Sequence, residues 1–299
     1  MSHQRTRTKE KPEFSDWLLD AVKVVFLFVF TLMCIYPFYY VIIYSISDPN
    51  LAKTGIFLLP KGFTLNSYIS MLELGVLPHA FLISVLRTVI GTFGCVLVTT
   101  MYAYLMTKDM LGKKIVYRFS VCTMYFSAGL IPWFITMRTY GLANNFLLYV
   151  IPGLMNAYHM ILVKTFIEQL PPSLEESASL EGAGFAATFF KIIVPLSKPI
   201  IATTAVYCAV GQWNSWQDNY FLVSSPKLQT AQMVLQNYLK QTEAIIKEMT
   251  KMNVSAEGVL TTKTVQMTAV VVTMVPIMLV YPYAQRYFTK GIMMGAVKG

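Results

Sequence analysis

The sequence predicts an all-α fold, a membrane-embedded bundle of six transmembrane helices. Apolar residues make up 55% of the 299 residues and charged residues only 13%, and the mean hydropathy is +0.53. Soluble domains carry about twice that share of charged residues, so the composition excludes an ordinary soluble protein. It also excludes a disordered chain, because disorder requires low hydrophobicity and high charge. We expect one transmembrane domain over residues 1–299.

Six stretches are apolar enough, or nearly so, to span a bilayer. A spanning helix needs about 20 mostly uncharged residues, because it rises 1.5 Å per residue across roughly 30 Å of hydrocarbon. Gly141, Asn144 and Asn145 indicate a turn in the outer part of the fourth stretch, so its helix should begin near Phe146. The predicted spans are residues 24–47, 88–107, 119–137, 139–163, 199–217 and 264–285.

The distribution of basic residues predicts the orientation. Arg5, Arg7, Lys9 and Lys11 precede a first apolar run that is too long for a signal peptide, so we expect an uncleaved helix with a cytoplasmic N-terminus. Six spans then place both termini in the cytoplasm. Cytoplasmic retention of Lys and Arg accounts for the net charge of +9, so no nucleic-acid partner is needed. The cytoplasmic segments 1–21, 107–118, 164–198 and 286–299 hold 14 Lys and Arg, whereas the outer segments 47–79, 138–145 and 224–263 hold 8.

Polar and sulfur-containing residues in the spans are expected to be structural. Arg87, near the outer end of the second span, is expected to extend to the head-group interface, and a role in a substrate path is the alternative. The cysteines are Cys34, Cys95, Cys122 and Cys208. All lie in apolar runs without a CxxC or Cys/His pattern, so we expect buried thiols with no disulfide and no metal site. His159 is expected to be a hydrogen-bonded interior side chain.

Residues 168–199 form a cytoplasmic loop that holds four of the fifteen carboxylates. Pro171 and Pro172 end the preceding helix. Ser173 and Glu176 fit a capping box, which predicts a short helix that starts at Leu174. Glycines at 182 and 184 predict its end, and a second helix is predicted over residues 185–193.

A helix as short as the first one is unstable alone in water, so it must pack against something. Leu174, Ala178 and Leu180 offer only a small apolar surface flanked by carboxylates. Two arrangements remain open. The helix docks into a groove on a partner protein, or it folds as a hairpin beneath its own bundle.

This loop resembles the EAA loop of ATP-binding-cassette (ABC) importer permeases. The family pattern is Glu-Ala-Ala, three residues, Gly, nine residues, and Ile-x-Leu-Pro. The chain has Glu176-Ser177-Ala178, then Gly182, then Ile192-Ile193-Val194-Pro195. Ser177 and Val194 are mild departures that keep the spacing. Residues 126–132, 213–216 and 290–299 are similar to the carbohydrate-uptake subfamily, and to relatives of the maltose permease's smaller subunit within it.

The resemblance implies the type I ABC importer transmembrane fold and a transport role without enzymatic chemistry. It implies that the motif forms a coupling helix and its return on an ATPase subunit, through Glu176, Ser177, Ala178, Gly182, Ile192 and Pro195. It implies that the tail also contacts the ATPase, through Gly295, Ala296, Val297, Lys298 and Gly299. ATP and Mg²⁺ would then bind the partner, and this chain, which has no GxxxxGK[ST] phosphate loop, would carry no cofactor of its own.

The resemblance also implies the cargo and the partners. The cargo would be a carbohydrate, an oligosaccharide or polysaccharide fragment, imported across a bacterial cytoplasmic membrane. The partners would be a second homologous permease, two ATP-binding subunits and an extracytoplasmic sugar-binding protein. The outer loop, residues 224–263, is expected to contact the sugar-binding protein, or else to be merely a solvated loop.

Aromatic and hydrogen-bonding residues crowd the outer end of the fifth span. They are Trp213, Asn214, Trp216, Gln217, Asp218, Asn219 and Tyr220. Such residues can stack on sugar rings and pair with hydroxyl groups, so they are candidates for a substrate path. An interfacial aromatic belt or bundle packing has the same composition and remains the alternative.

Other functions remain as alternatives. An ABC importer permease for an amino acid, a peptide or phosphate has the same general pattern. A secondary transporter should carry carboxylates inside its spans, and none of the fifteen lies well inside one. A membrane enzyme needs a nucleophile, base or metal constellation, which three dispersed histidines do not supply.

Overall fold

The computed structural model describes residues 14–54, 58–73, 76–252 and 257–296. Within them the regular structure is helical, and one isolated antiparallel bridge joins Ser47 to Phe63. The all-α prediction is confirmed for this part of the chain.

The described residues form thirteen α-helices. They are α1 (Phe14–Ser45), α2 (Asn66–Glu73), α3 (Val76–Leu105), α4 (Lys113–Cys122), α5 (Leu130–Thr139), α6 (Ala157–Ile167), α7 (Ser173–Leu180), α8 (Phe185–Thr188), α9 (Val194–Leu196), α10 (Lys198–Asn214), α11 (Gln217–Leu222), α12 (Ala231–Met252) and α13 (Glu257–Ala296). Short 3₁₀ segments lie at Leu51–Thr54, Phe146–Tyr149, Ile151–Gly153 and Pro226–Leu228, and a π-helical turn lies at Phe189–Ile193.

Helix α3 is central to the packing. It packs along α10 and also contacts α6 and α12, while α13 packs against α12, α1 and α10. One apolar cluster at the end of α3 includes Tyr104 and Phe189. Another, near its start, includes Leu77 and Ala269. Burial at both ends holds α3 within the bundle.

Three helices are long and apolar enough to cross a membrane. They contain the segments Trp17–Ser45, Leu77–Leu105 and Lys263–Pro282. Two bent pairs pass the same test if each pair counts as one span. These pairs are Phe146–Gly153 with Ala157–Ile167, bent by 47°, and Phe185–Leu196 with Lys198–Asn214, bent by 83°. The described residues therefore agree with a multi-pass membrane protein, but up to five spans are identified and the count of six is not confirmed.

The predicted third span, residues 119–137, is not one continuous helix. Helix α4 ends at Cys122, residues 123–129 form a turn, and α5 begins at Leu130. Gly129 has φ +82°, a conformation that L-residues with a side chain rarely adopt. A hydropathy window averages over such a turn, so it predicted one span where the chain forms two short helices.

The fourth stretch is also interrupted. Its helical structure begins at Phe146 as predicted, but as 3₁₀ turns, and α6 starts only at Ala157. The Asn145 side chain accepts a hydrogen bond from the Leu147 amide at 2.9 Å, and that of Asn156 accepts one from the His159 amide at 3.1 Å. These amide side chains cap the two halves of the bent segment.

The predicted outer loop, residues 224–263, is largely helical. Helix α12 occupies Ala231–Met252, and α13 begins before the loop's predicted end. Ala231, Val234 and Leu235 are buried against α3 and α13, together with the half-buried Tyr238. Their helical spacing explains why this segment folds onto the bundle.

Candidate functional site: a coupling loop and a polar cavity

The coupling loop, residues 168–199, begins with α7. Pro172 is its N-cap, with helical angles of φ −58° and ψ −30°. The Pro172 carbonyl accepts hydrogen bonds from the amides of Glu175 and Glu176 at 3.0 and 3.1 Å. The predicted capping box is wrong, because α7 starts at Ser173 and no side chain caps it. The fixed φ of proline instead pre-organises the first turn.

Helix α7 ends at Gly182, as the spacing predicts. Gly182 has φ +79°. Its amide donates to the Ser179 carbonyl at 3.0 Å, and the Ala183 amide donates to the Ala178 carbonyl at 2.9 Å. This pair of bonds is a Schellman motif. A Cβ built on Gly182 would meet no described atom within 4 Å, so glycine is required here for backbone conformation alone.

The second part of the coupling loop, which we call its return limb, is helical over Phe185–Leu196. It leads into α10 through a sharp bend of 83°. Ile192 is half-buried, whereas Pro195 is exposed just after the π-helical turn. Proline has no amide to donate to the preceding turn, which favours irregular helix geometry at this point.

Aromatic stacking fixes the coupling loop to α3. The Tyr104 ring lies between Phe185 and Phe189, with centroid distances of 4.9 and 5.4 Å. Tyr104, Phe189 and Ile193 are all buried in the same cluster. Stacked pairs of this kind contribute roughly 0.5–1.5 kcal/mol each beyond their burial. The return limb is therefore anchored to the end of α3.

An ion pair between Lys108 and Glu175 supplements this anchor. The Lys108 ammonium also lies 4.5 Å from the centre of the Tyr104 ring. Burial, and then the neighbouring Lys113 charge, lower the pKa of Lys108. Both side chains of the pair are about one-third exposed, so solvent limits its contribution to about 1 kcal/mol or less. The aromatic stack is the stronger attachment.

The other face of α7 is accessible. Ala178 is buried, whereas Glu176, Ser177 and Gly182 are exposed, and the Leu180 side chain is 90% exposed. An exposed leucine beside carboxylates is suited to contact with another protein. The loop folds against its own bundle, and the exposed face of α7 remains free of contacts with other described residues that would bury it, so docking on a partner protein stays a prediction.

A cavity of about 350 Å³ lies between α3, α10 and the bent segment that leads into α6. Trp133, Tyr149 and Tyr207 contribute aromatic rings to its wall, and Asn156 and Gln212 contribute amides. Binding sites for small molecules combine apolar walls with a few such polar groups.

Arg87 lies in the wall of this cavity and is 3% exposed. Its guanidinium forms a bidentate ion pair with Asp218, in which Nη1 is 3.0 Å from Oδ1. Nε donates to Gln212 Oε1 at 3.0 Å, Nη1 donates to the Ser215 carbonyl at 3.1 Å, and the Tyr149 ring centre lies 4.5 Å away. The prediction that Arg87 extends to the head groups is wrong, because Asp218, 131 residues away in sequence, supplies the matching carboxylate.

Two glycines allow Gln212 to reach Arg87. A Cβ on Gly91 would lie 2.7 Å from Gln212 Nε2, and one on Gly153 would lie 3.0 Å from it. Neither distance leaves room for a side chain unless Gln212 moves. Gln212, a glutamine inside an apolar span, is the feature of the sequence that indicates such a network.

The residues predicted to form a substrate path do not all line the same cavity in the structure. Asp218 lines the cavity, whereas the buried Trp213 donates its indole N–H to the Thr273 carbonyl at 3.0 Å and packs edge-on against Phe81. Asn219 is buried and donates to the Leu228 carbonyl at 2.9 Å.

The remaining candidates lie on the α10–α12 side. Asn214 accepts a hydrogen bond from Gln232 at 3.3 Å. The rings of Trp216 and Tyr220 stand edge to face, 5.8 Å apart, with the Lys240 ammonium over both. Gln217 begins α11.

The predicted tail contact, residues 295–299, is described only in part. Gly295 and Ala296 are the last residues of α13. Val297, Lys298 and Gly299 lie outside the described residues.

The cavity also brings together three residues that the sequence shows as dispersed. The donor atoms of Cys95, His159 and Cys208 lie within 4.8 Å of one another. His159 Nδ1 is 3.5 Å from the Cys208 sulfur. No local spacing signals this cluster, because each residue belongs to a different helix.

Comparison with known proteins supports a transport role. No protein-family model matches the chain. It is 32% identical over 284 residues to the polygalacturonan/rhamnogalacturonan transport system permease protein YtcP of Bacillus subtilis, covering 94% of this chain and 99% of that one. It is 31% identical to protein LplC of the same organism, with 94% and 95% covered. A crystal structure of a bacterial ABC transporter involved in the import of the acidic polysaccharide alginate contains a similar chain, with a TM-score of 0.81, 29% identity, and 94% of this chain and 100% of that chain covered.

Replacing Arg87 with Met should lower the free energy of unfolding by about 3–5 kcal/mol, because the Asp218 carboxylate stays buried without its partner. The double variant Arg87→Met/Asp218→Leu should recover most of the loss. Arg138→Met, at an exposed arginine, is the control and should change little. Thermal unfolding of the full-length chain in detergent measures all three. Equal losses in the single and double variants would contradict a paired role.

Gly182→Ala should loosen the end of α7, because the left-handed conformation costs a residue with a side chain roughly 1–2 kcal/mol. Hydrogen exchange of the Gly182 and Ala183 positions should accelerate about 5- to 30-fold. Gly184→Ala is the matched control, since its φ of −73° suits alanine and its Cβ would meet no described atom within 4 Å. Equal acceleration in both variants would rule out the conformational explanation.

Proposed function

The chain belongs to the permease family of carbohydrate ABC importers, and from this premise we propose that it is one membrane-spanning subunit of an ATP-driven importer. Its cargo is an oligosaccharide or polysaccharide fragment. The observation that carries the proposal is α7, a short helix whose Ala178 is buried and whose Glu175 is paired with Lys108, while its opposite face is exposed. ATP hydrolysis takes place on a separate subunit, and this chain converts the motion of that subunit into a change of access.

The coupling step follows from the anchor. Glu176, Ser177 and Leu180 contact the ATPase subunit, while Tyr104 and Phe189 join the loop to α3. A loop held by stacked rings moves with the bundle, so a displacement of α7 is transferred to α3. Gly182 and Pro195 set the two bends of the coupling loop, and Ile192 helps to pack the return limb.

The cavity is the candidate path for the cargo. Its rings suit stacking on sugar faces, and its amides suit pairing with hydroxyl groups. Arg87 and Asp218 form a nearly neutral pair, so the wall presents polarity without a large net charge. Among the similar proteins, YtcP is named for polygalacturonan and rhamnogalacturonan, and the solved transporter imports alginate. These names support a saccharide cargo over an amino acid, a peptide or phosphate, which is the remaining alternative.

The assembly requires other chains. A second homologous permease completes the membrane part, two ATP-binding subunits carry ATP and Mg²⁺, and an extracytoplasmic protein delivers the sugar. The protein is a multi-pass component of the cell membrane, with both termini in the cytoplasm. On the outer side, residues 224–263 contact the delivery protein, and on the inner side the tail contacts the ATPase.

Replacing Leu180 with Asp should weaken assembly with the co-expressed ATPase about tenfold or more, because it introduces a charge at an exposed apolar contact. Leu111→Asp is the matched control, because Leu111 is fully exposed on the neighbouring segment 107–118. Co-purification at controlled detergent and salt measures the loss, and thermal unfolding checks that both variants fold. Equal ATPase recovery with Leu180→Asp and with Leu111→Asp would count against docking through α7.

Cysteine cross-linking supplies an independent test of the same contact. A Ser177→Cys variant should cross-link to the ATPase subunit in at least one nucleotide state. A Leu111→Cys variant should not do so at the same reagent length. If Ser177→Cys fails to cross-link in every nucleotide state, the coupling proposal is overturned.

The cargo is tested with the assembled importer in proteoliposomes. Oligosaccharides presented with the cognate delivery protein should stimulate ATP hydrolysis, and amino acids, peptides and phosphate should not. Neutral and acidic oligosaccharides of equal length separate the two saccharide classes. Stimulation by amino acids, peptides or phosphate alone would refute the saccharide assignment while leaving the ABC permease role intact.

A further inference from the structure

Three soft donor side chains from three helices meet in the cavity wall. Cys95 lies on α3, His159 on α6 and Cys208 on α10. Their donor atoms lie within 4.8 Å of one another, and the Cys208 sulfur is 3.5 Å from His159 Nδ1. Both cysteines are buried, and His159 is half-buried. We propose that this cluster binds a soft, thiol-seeking cation such as Zn²⁺.

The distances fit tetrahedral coordination. Zinc binds sulfur at about 2.3 Å and imidazole nitrogen at about 2.0–2.1 Å, which places neighbouring ligand atoms about 3.5–3.8 Å apart. The observed sulfur–nitrogen distance already has this value, and the widest separation exceeds it by about 1 Å. Rotation of side chains is enough to close such a gap, so the three helices need not move far.

The donor set selects the kind of cation. Thiolate and imidazole ligands favour Zn²⁺, Cd²⁺ and Cu⁺, whereas Mg²⁺ and Ca²⁺ require oxygen ligands. The cluster contains no carboxylate, and Asp218, the carboxylate of the described cavity wall, is paired with Arg87. When Zn²⁺ binds, each thiol loses one proton to solvent and the neutral imidazole contributes its lone pair.

Neighbouring groups hold the ligands in place. The His159 ring stacks on Tyr207, at a centroid distance of 5.8 Å and an angle of 18°. The Cys95 sulfur lies 3.9 Å from Thr99 Oγ1, and the His159 amide donates to the Asn156 side chain. Supporting contacts of this kind orient metal ligands. All three residues line the cavity, so water from the cavity could complete the fourth coordination position.

A bound cation would join α3, α6 and α10 across the cavity. If the cavity opens and closes during transport, a cation bound to the cluster should slow the transport cycle. This consequence rests on the proposed transport function, whereas the binding site itself does not.

The site is tested on the full-length chain, purified in detergent with a non-thiol reductant. Equilibrium dialysis against buffered Zn²⁺ should retain one zinc per chain, and Co²⁺ should give thiolate-to-cobalt charge-transfer absorption. Cys95→Ser and Cys208→Ser should each weaken binding about 100-fold, at least the effect of losing a supporting group. Cys34→Ser and Cys122→Ser are the matched controls and should bind as the unchanged protein does, because both residues lie outside the cluster.

A second measurement avoids any dependence on how the variants fold. In the unchanged protein, Zn²⁺ or Cd²⁺ should protect Cys95 and Cys208 from a small alkylating reagent, and should leave Cys34 and Cys122 reactive. Mass spectrometry of the peptides reports each site. Lack of stoichiometric zinc, equal protection of all four cysteines, or a Cys95–Cys208 disulfide in the reduced preparation would overturn the proposal. If Zn²⁺ binds to the cluster but does not slow ATP hydrolysis by the assembled importer, only the expected effect on transport is contradicted, and the binding site stands.

Discussion

A guanidinium is tolerated inside an apolar bundle only where a carboxylate and further acceptors surround it. Arg87 meets this constraint by drawing separate segments together. Asp218 comes from the first turn of α11, Ser215 is the residue after the end of α10, and Gln212 lies on α10 itself. Tyr149 comes from the 3₁₀ segment before α6. The cavity lies between these same elements, so its shape depends on the ion pair.

The broken helix beside the cavity follows a related constraint. Backbone groups that leave helical pairing inside a membrane protein are tolerated where they line a cavity and find other partners. Around Pro152 the chain makes 3₁₀ turns instead of an α-helix. The hydroxyl of Thr99 on α3 forms hydrogen bonds within this break. It donates to the Leu154 carbonyl at 3.5 Å and accepts from the Asn156 amide at 3.4 Å. The irregular segment is therefore stabilised by the helix that also carries Arg87.

Local features of the sequence predicted the parts of this structure that local physics decides. Apolar length located the helices around residues 24–47, 88–107, 199–217 and 264–285, and the spacing of Gly182 located the end of α7. Two of the failures are non-local. Nothing near Arg87 in the sequence indicates Asp218 as its partner, and no spacing places Cys95 beside Cys208. The capping box failed for a local reason, because proline geometry before Ser173 already starts the helix. The split at residues 123–129 was missed because averaged hydropathy does not register a turn.

Helix α3 connects the two functional regions. It carries Arg87 and Cys95 in the cavity wall and ends at the Tyr104 stack that anchors the coupling loop. Arg87 and Tyr104 are 17 positions apart, which corresponds to about 26 Å along one continuous helix. A continuous helix transmits displacement along its axis, because every backbone hydrogen bond within it would have to lengthen before it stretched. In the proposed mechanism, motion imposed on α7 would reach the cavity through α3 and move α3 relative to α10, whose Gln212 is hydrogen-bonded to Arg87. In this mechanism a cation bound by Cys95, His159 and Cys208 would oppose that movement, because it ties the same two helices together.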